Sequence, residues 1–288
     1  MNVLAIVWDP SIGIDLGFFT IRYYSMMYII GFAAGYYILK KIFNNEGLDN
    51  TYLDPMLTAA IIGTLLGARL GHVFFYDWKK YYSHHLAEIL LPIQQTQDGW
   101  KFTGFQGLAS HGATIGIFLA VLYFWYKYLK GKQSFLWILD RITLTIPIGA
   151  ALIRIGNLLN SEIIGKPTGT EYGFIFKKLG ESFPRYPTQL YEAGAYLSML
   201  FIMLFLYWKT NLKKYEGMLF GIFFVLLWNV RLFVEFYKEP QDVDDAKLLA
   251  DTGLNTGQWL SIPFILIGIG IIVYSVIAYN KKLKVKSA

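Results

Sequence analysis

The 288-residue sequence contains no cysteine, which excludes a disulfide framework, a thiolate metal site and a cysteine nucleophile on this chain. Any thiol in its chemistry comes from a partner. Charge is also scarce: 16% of residues are charged against 55% hydrophobic, and mean hydropathy is +0.40. That balance excludes an ordinary soluble domain and indicates a polytopic membrane protein. A basic leader is missing too, since residues 1–17 carry Asp9 and Asp15; no cleavable signal peptide is expected, and the chain should keep its N-terminus. There is no internal repeat and no low-complexity tract. The net charge of +6 would suggest nucleic acid in a soluble protein, but the lysines fall in short connectors between apolar runs, as topology signals do. No nucleic-acid partner is expected.

What is present is a set of about seven apolar segments long enough to span a bilayer: 23–39, 56–76, 108–129, 135–157, 189–208, 217–236 and 260–279. The fold class expected is therefore an all-α polytopic membrane protein, one integral membrane domain over 1–288. Short connectors holding Lys40 and Lys41, Lys127, Lys130 and Lys132, Lys209, Lys213 and Lys214, and the terminal Lys281, Lys282, Lys284 and Lys286 alternate with long mixed or acidic ones. The positive-inside rule then puts the N-terminus outside and the C-terminus inside. Tyr23, Tyr24, Tyr76, Trp78, Trp125, Tyr126, Tyr207 and Trp208 crowd the span ends as an interfacial aromatic belt would. The outer loops 77–107 and 158–188 are expected to pack as small extracytoplasmic caps, partly stranded over 172–176.

At about 1.5 Å rise per residue across a core about 30 Å thick, the polar residues sort by depth. Tyr24 opens the first span, Arg69 lies past the middle of the second, and His111 begins the third from outside. Arg154 and Asn157 end the fourth, Gln189 and Glu192 begin the fifth, Arg231 and Glu235 lie high on the sixth, and Gln258 and Ser261 begin the seventh. Every span thus contributes to the outer half, and nothing comparable is expected in the inner half. An ionisable group at membrane depth costs at least about 3 kcal/mol on insertion scales and persists where it faces a bundle interior, a wet cavity or a polar ligand. Arg154, Gly156, Asn157, Asn160, Glu162 and Gly165 form the densest such run, and an arginine flanked by amides suits a phosphate.

Plainer readings stand beside these. Arg231 and Glu235 at i, i+4 can neutralise one another, and Arg154 with Asn157 can be a satisfied helix end. His111 can be a core histidine bonded to a carbonyl, Arg69 a snorkelling residue. His84 and His85 read as solvated, without the ligands of a metal site. The acidic connector with Asp242, Asp244, Asp245 and Asp251 lacks calcium-loop spacing and reads as solvated.

At these residues the sequence resembles the bacterial prolipoprotein diacylglyceryl transferases, over nearly the whole chain. The run from Arg154 through Gly156, Asn157, Asn160 and Glu162 to Gly165 matches that family's signature. Supporting blocks follow in the family's order: Tyr24 with Met27 and Tyr28; Gly67, Arg69 and Gly71; His111, Gly112 and Gly116; Arg185 to Glu192; Arg231 and Glu235; Gly257, Gln258 and Ser261. The chain departs from the family pattern at Ala113, at Tyr186-Pro187-Thr188, and at Leu227, where a tyrosine is usual and Trp228 is adjacent.

The resemblance implies transfer of the sn-1,2-diacylglyceryl group from phosphatidylglycerol to a lipobox cysteine of a prolipoprotein, with release of glycerol 1-phosphate. It implies the bacterial inner membrane, a site towards the outer leaflet, and no metal or cofactor. Displacement at a glyceryl carbon requires an activated sulfur and a held leaving phosphate. Arg154 and Arg231 are expected to clamp that phosphate, Asn157 and Asn160 to orient the head group, and Glu162 and Glu235 to hold the arginines. His111 is the expected base, its ordinary pKa lying about two units below that of a thiol. Tyr24, Arg69, Arg185, Gln189 and Gln258 complete the expected substrate-binding set. Competing classes are an anion transporter, which calls for midplane polar groups and repeated halves, a head-group transferase using a sugar or amine acceptor, and a receptor-like seven-helix protein.

Overall fold

The computed structural model describes residues 4–17, 20–91, 93–96, 99–102, 107–240 and 243–287. In chain order the elements are β1 (Ala5–Trp8), β2 (Gly13–Asp15), β3 (Thr20–Arg22), α1 (Tyr23–Glu46), α2 (Leu53–His72), continuing as a π-helix (Val73–Tyr82), α3 (Ala87–Leu90), β4 (Ile93–Thr96), β5 (Gly99–Phe102), α4 (Ser110–Phe124), α5 (Phe135–Ile142), α6 (Ile146–Asn160), β6 (Gly173–Phe176), α7 (Thr188–Lys209), α8 (Met218–Val234), α9 (Val243–Thr252) and α10 (Thr256–Ser287). The chain is an all-α polytopic membrane protein. Among the described residues six helices are long and apolar enough to cross a bilayer, and α5 with α6 make a seventh span if counted together.

That fourth span is not the single helix that 135–157 predicts. It bends by 43° between α5 and α6. The cause is local: Pro147 sits in the first turn of α6, where its missing N–H is tolerated, while its ring would clash with the carbonyl four residues earlier in an unbroken helix. The Thr143 and Thr145 hydroxyls donate to carbonyls at the break, Asp140 O at 3.0 Å and Ile142 O at 2.8 Å.

Contacts group the chain into two compact units, residues 1–42 with 136–288, and residues 43–135. In the second unit α2 and α4 pack with almost no space between them. A Cβ on Gly71 would lie 2.6 Å from Gly112 Cα and one on Gly63 2.6 Å from Ala120 Cβ, so the spacing of Gly63, Gly67 and Gly71 is what lets the backbones approach. An apolar furrow of about 970 Å³ runs along this pair, lined by Ile62, Leu66, Phe74, Ile115 and Leu119 among others, and it holds neither Arg69 nor His111. The loop after α2 in this unit carries α3 and the antiparallel β4–β5 hairpin.

In the first unit, β1 pairs in parallel with β6, Ala5 opposite Gly173, and the strand expected near 172–176 is present. Trp8 donates to Leu158 O at 2.8 Å and joins Phe174, Phe176, Leu158 and Ile164 in a small apolar core. That core fixes the cap to the end of α6, which carries the signature run. The polar groups are not confined to one end of the spans, contrary to the depth reading. Asp140 and Arg141 are buried, and the Asp140 carboxylate accepts from Gly217 N and Phe220 N, both at 2.8 Å, capping the start of α8. The carboxylate thus satisfies two backbone donors at the start of α8, at the opposite end of that helix from Arg231. The acidic connector folds partly as α9; Asp242 lies outside the described residues.

Candidate active site

The site grows from the end of α6. Arg154 Nη1 donates to Asn157 Oδ1 at 3.2 Å, one helical turn on. Asn157 and Asn160 both turn their amide nitrogens to Glu162, at 3.3 and 3.2 Å. To present that carboxylate the chain adopts left-handed backbone at Ser161 (φ 59) and at Ile163 (φ 54). For a β-branched residue this is a strained conformation, costing on the order of 1–3 kcal/mol. It is held from α7: Gln189 Nε2 donates to Glu162 O at 2.7 Å and Thr188 Oγ1 to Ile163 O at 3.2 Å.

The carboxylate against Arg154 is Glu192, not Glu162. Glu192 Oε2 lies 2.9 Å from Arg154 Nε with the glutamate side chain 1% exposed, and the pair is ionic contact rather than an aligned hydrogen bond. Its other oxygen accepts from Tyr196 OH at 3.3 Å and from Lys238 Nζ at 3.1 Å. Lys238 also donates to Glu235 Oε1 at 3.0 Å, and Glu235 stands 3.8 Å from Arg231 Nε. Asn255 Nδ2 reaches Glu235 Oε2 at 3.3 Å. The result is an alternating row, Arg154, Glu192, Lys238, Glu235, Arg231, drawn from α6, α7, α8 and the turn after α8. Arg231 is the looser end: its side chain is 34% exposed, and its Nε has no hydrogen-bond partner among the described residues. The guanidinium lies 5.6 Å over the ring of Trp228, which stacks on Phe264 at 4.3 Å. Trp228, next to the family departure at Leu227, is thus a platform under this arginine.

Two glycines make room for the assembly. A Cβ on Gly156 would meet the Tyr24 ring at 2.6 Å, and one on Gly257 would meet the Glu235 carboxyl carbon at 2.6 Å. Tyr24 therefore lies against the signature helix, its hydroxyl 3.3 Å from that of Tyr28. Gln258 is buried and exchanges hydrogen bonds with Asn255, so it supports the Glu235 partner.

The remaining expected residues lie on other elements. Arg185 is in the cap, donating to Glu181 at 2.6 and 2.7 Å, to Gly165 O at 3.0 Å and to Glu239 at 2.5 Å. The hydrogen-bonded Glu181 carboxylate, then Glu239, raises its already high pKa. Arg69 and His111 belong to the second unit. Arg69 is buried and donates to the carbonyls of Ile89 (2.9 Å) and Glu88, closing the end of α3, with Tyr82 beneath it at 4.8 Å. His111 is exposed near the start of α4. Glu192 and Lys238 are the residues whose place in the site the sequence reading missed. The signals existed: Glu192 is the single acidic residue of α7, and Lys238 is a basic residue at the start of a mostly acidic connector.

A family model described as prolipoprotein diacylglyceryl transferase matches residues 11–274. The chain belongs to the prolipoprotein diacylglyceryl transferase family. Relatives named phosphatidylglycerol–prolipoprotein diacylglyceryl transferase include one from Bacteroides fragilis, 40% identical over 286 residues and 99% of each chain. Others come from Chloroherpeton thalassium, 40% identical over 94% of each chain, and Tolumonas auensis, 37% identical over 93% of this chain and 95% of the relative. In this diacylglyceryl transferase family member, the row of ion pairs holds two guanidinium groups on different helices. Guanidinium stays protonated and grips oxyanions through paired N–H donors. The arrangement is chemically suited to a phosphate ester whose charge rises as it departs.

Proposed function

We propose that this protein transfers the sn-1,2-diacylglyceryl group of phosphatidylglycerol to the lipobox cysteine of a prolipoprotein, releasing glycerol 1-phosphate, the first step of lipoprotein maturation. The observation that carries the reading is the pair of arginines, Arg154 and Arg231, tethered through buried carboxylates beside the Asn157 and Asn160 amides. In the reaction the cysteine sulfur attacks the glyceryl carbon that bears the phosphate. A carbon–sulfur bond forms, the carbon–oxygen bond breaks, and its electron pair stays on the phosphate oxygen. The proton leaves the sulfur.

Arg154 and Arg231 hold the phosphate, and Asn157 and Asn160 orient head-group oxygens. Glu192 and Glu235 fix the arginines, while Glu162 fixes the asparagines. His111 is the candidate base by chemistry, since imidazole is the side chain suited to take the proton of a thiol in general-base catalysis. Tyr24 borders the lipid, and Gln189 and Gln258 act by holding backbone and amide partners. Arg185 and Arg69 act by fixing their loops. The protein works in the bacterial inner membrane as one transferase domain, with the N-terminus outside, the C-terminus inside, and the site opening to the outer leaflet.

The test is an assay of membranes carrying this chain with phosphatidylglycerol and a lipobox peptide. Thioether product with equimolar glycerol phosphate is expected. Neither product, or anion flux in liposomes without lipid turnover, overturns the reading.

A further inference from the structure

The row of ion pairs contains one cation that the proposed chemistry does not use. Lys238 is 3% exposed and donates to Glu192 Oε1 at 3.1 Å and to Glu235 Oε1 at 3.0 Å. These are the same two carboxylates that stand against Arg154 and Arg231. Two buried carboxylates brought towards a shared point repel, and each loses solvation; an ammonium between them offsets both costs. The count of charge along the row matters as well. Arg154, Lys238 and Arg231 are positive and Glu192 and Glu235 negative, so one positive charge is in excess. Glu162, on the asparagine side, is exposed. A phosphodiester carries one negative charge, and the departing phosphate monoester carries more.

We infer that Lys238 is a positioning residue of the transfer reaction: its ammonium ties Glu192 to Glu235, fixes the span between the two arginines, and supplies the excess positive charge that matches the phosphate. The inference rests on the proposed phosphatidylglycerol chemistry. Lys238 acts through Glu192 and Glu235 and need not touch lipid. Without it the row is neutral, and Glu192 and Glu235 are left facing one another. The charged and titratable groups around that point are Glu192 and Tyr196 from α7, Arg154 from α6, and Arg231 and Glu235 from α8 with its following turn; α10 and the loop before it contribute the uncharged Gln258 and Asn255.

The experiment compares Lys238→Gln and Lys238→Arg with the unaltered chain, in the phosphatidylglycerol and lipobox-peptide assay, across pH 5 to 8. Lys238→Gln should lower kcat by about ten-fold or more, since fixed charge matters most as the phosphate departs. Its activity relative to the unaltered chain should rise as pH falls, because a proton taken up between Glu192 and Glu235 replaces the missing positive charge. Lys238→Arg keeps the charge and should stay within about five-fold of the unaltered chain, as a charge-preserving change to a group outside the reacting atoms. A residue that merely packs would give a pH-independent ratio. A Lys238→Gln protein with near-normal kcat, or with a flat ratio, overturns the inference while the activity of the unaltered chain leaves the functional reading standing. Should Lys238→Gln fail to accumulate, Lys238→Arg decides: normal accumulation with turnover lost also overturns it. An inactive unaltered chain rejects the functional reading itself.

Discussion

Arg154 carries more of the proposed chemistry than any other residue, and its surroundings say what a substitution does. Its guanidinium meets Glu192 through Nε and Asn157 through Nη1, a divergent pair that a lysine ammonium cannot reproduce from one nitrogen. Arg154→Lys should therefore lower kcat/KM by about 100-fold, a loss comparable to removing a transition-state donor, while the protein still accumulates; quantitative thioether formation against immunodetected protein checks it. Gly257→Ala tests the other end. The added methyl has to push the Glu235 carboxylate away, so activity should fall several-fold, and retention of full activity would show that the position of Glu235 is immaterial. His111→Gln should abolish the neutral-pH rate if the imidazole is the base. Unchanged turnover eliminates it. At this scale the signature run and both arginines were legible in the sequence, because polar groups in apolar spans announce themselves energetically. The partner of Arg154 was not, because the nearest carboxylate in sequence, Glu162, is turned to the asparagines by two left-handed residues that no local pattern foretells.

Among the elements, α2 with α4 and α5 with α8 show how the spans are held. Gly67 packs against Gly112 and Gly116 with no room for a side chain, so Gly67→Val should separate α2 from α4 and sharply reduce the folded protein recovered in mild detergent, measured by thermal unfolding. Asp140→Ala removes both acceptors at the start of α8 and leaves the nearby Arg141 without its acidic neighbour at 3.6 Å. A cost of about 2–4 kcal/mol is expected, read as a lowered unfolding midpoint, with activity per folded molecule preserved. Span existence was readable from apolar run length, and strand β6 from its residues. The bend between α5 and α6 was written in Pro147 yet absent from a hydropathy window, which averages across such a break. The pairing of Asp140 with α8 spans nearly eighty residues of sequence and leaves no local trace.

For the whole molecule, the lack of cysteine offers a direct test of orientation. Single cysteines introduced at Lys178 in the cap, and at Lys132 and Lys284 in basic connectors, should react with a membrane-impermeant maleimide in intact cells only at residue 178. Labelling at 132 or 284 without permeabilisation would invert the proposed topology. The sequence by itself determined that this chain lives in a membrane, about how many times it crosses, and that its polar residues belong to a phosphate-handling family. Bulk hydropathy and a contiguous motif survive any arrangement of the helices. Only the tertiary structure decided which carboxylate holds which arginine, that Lys238 links the two, that Arg185 and Arg69 are bound up in their own loops, and that the buried Asp140 carboxylate caps the far end of α8. Those are pairings between distant segments, and the strength of an ion pair depends on separation and burial, quantities fixed when the helices pack.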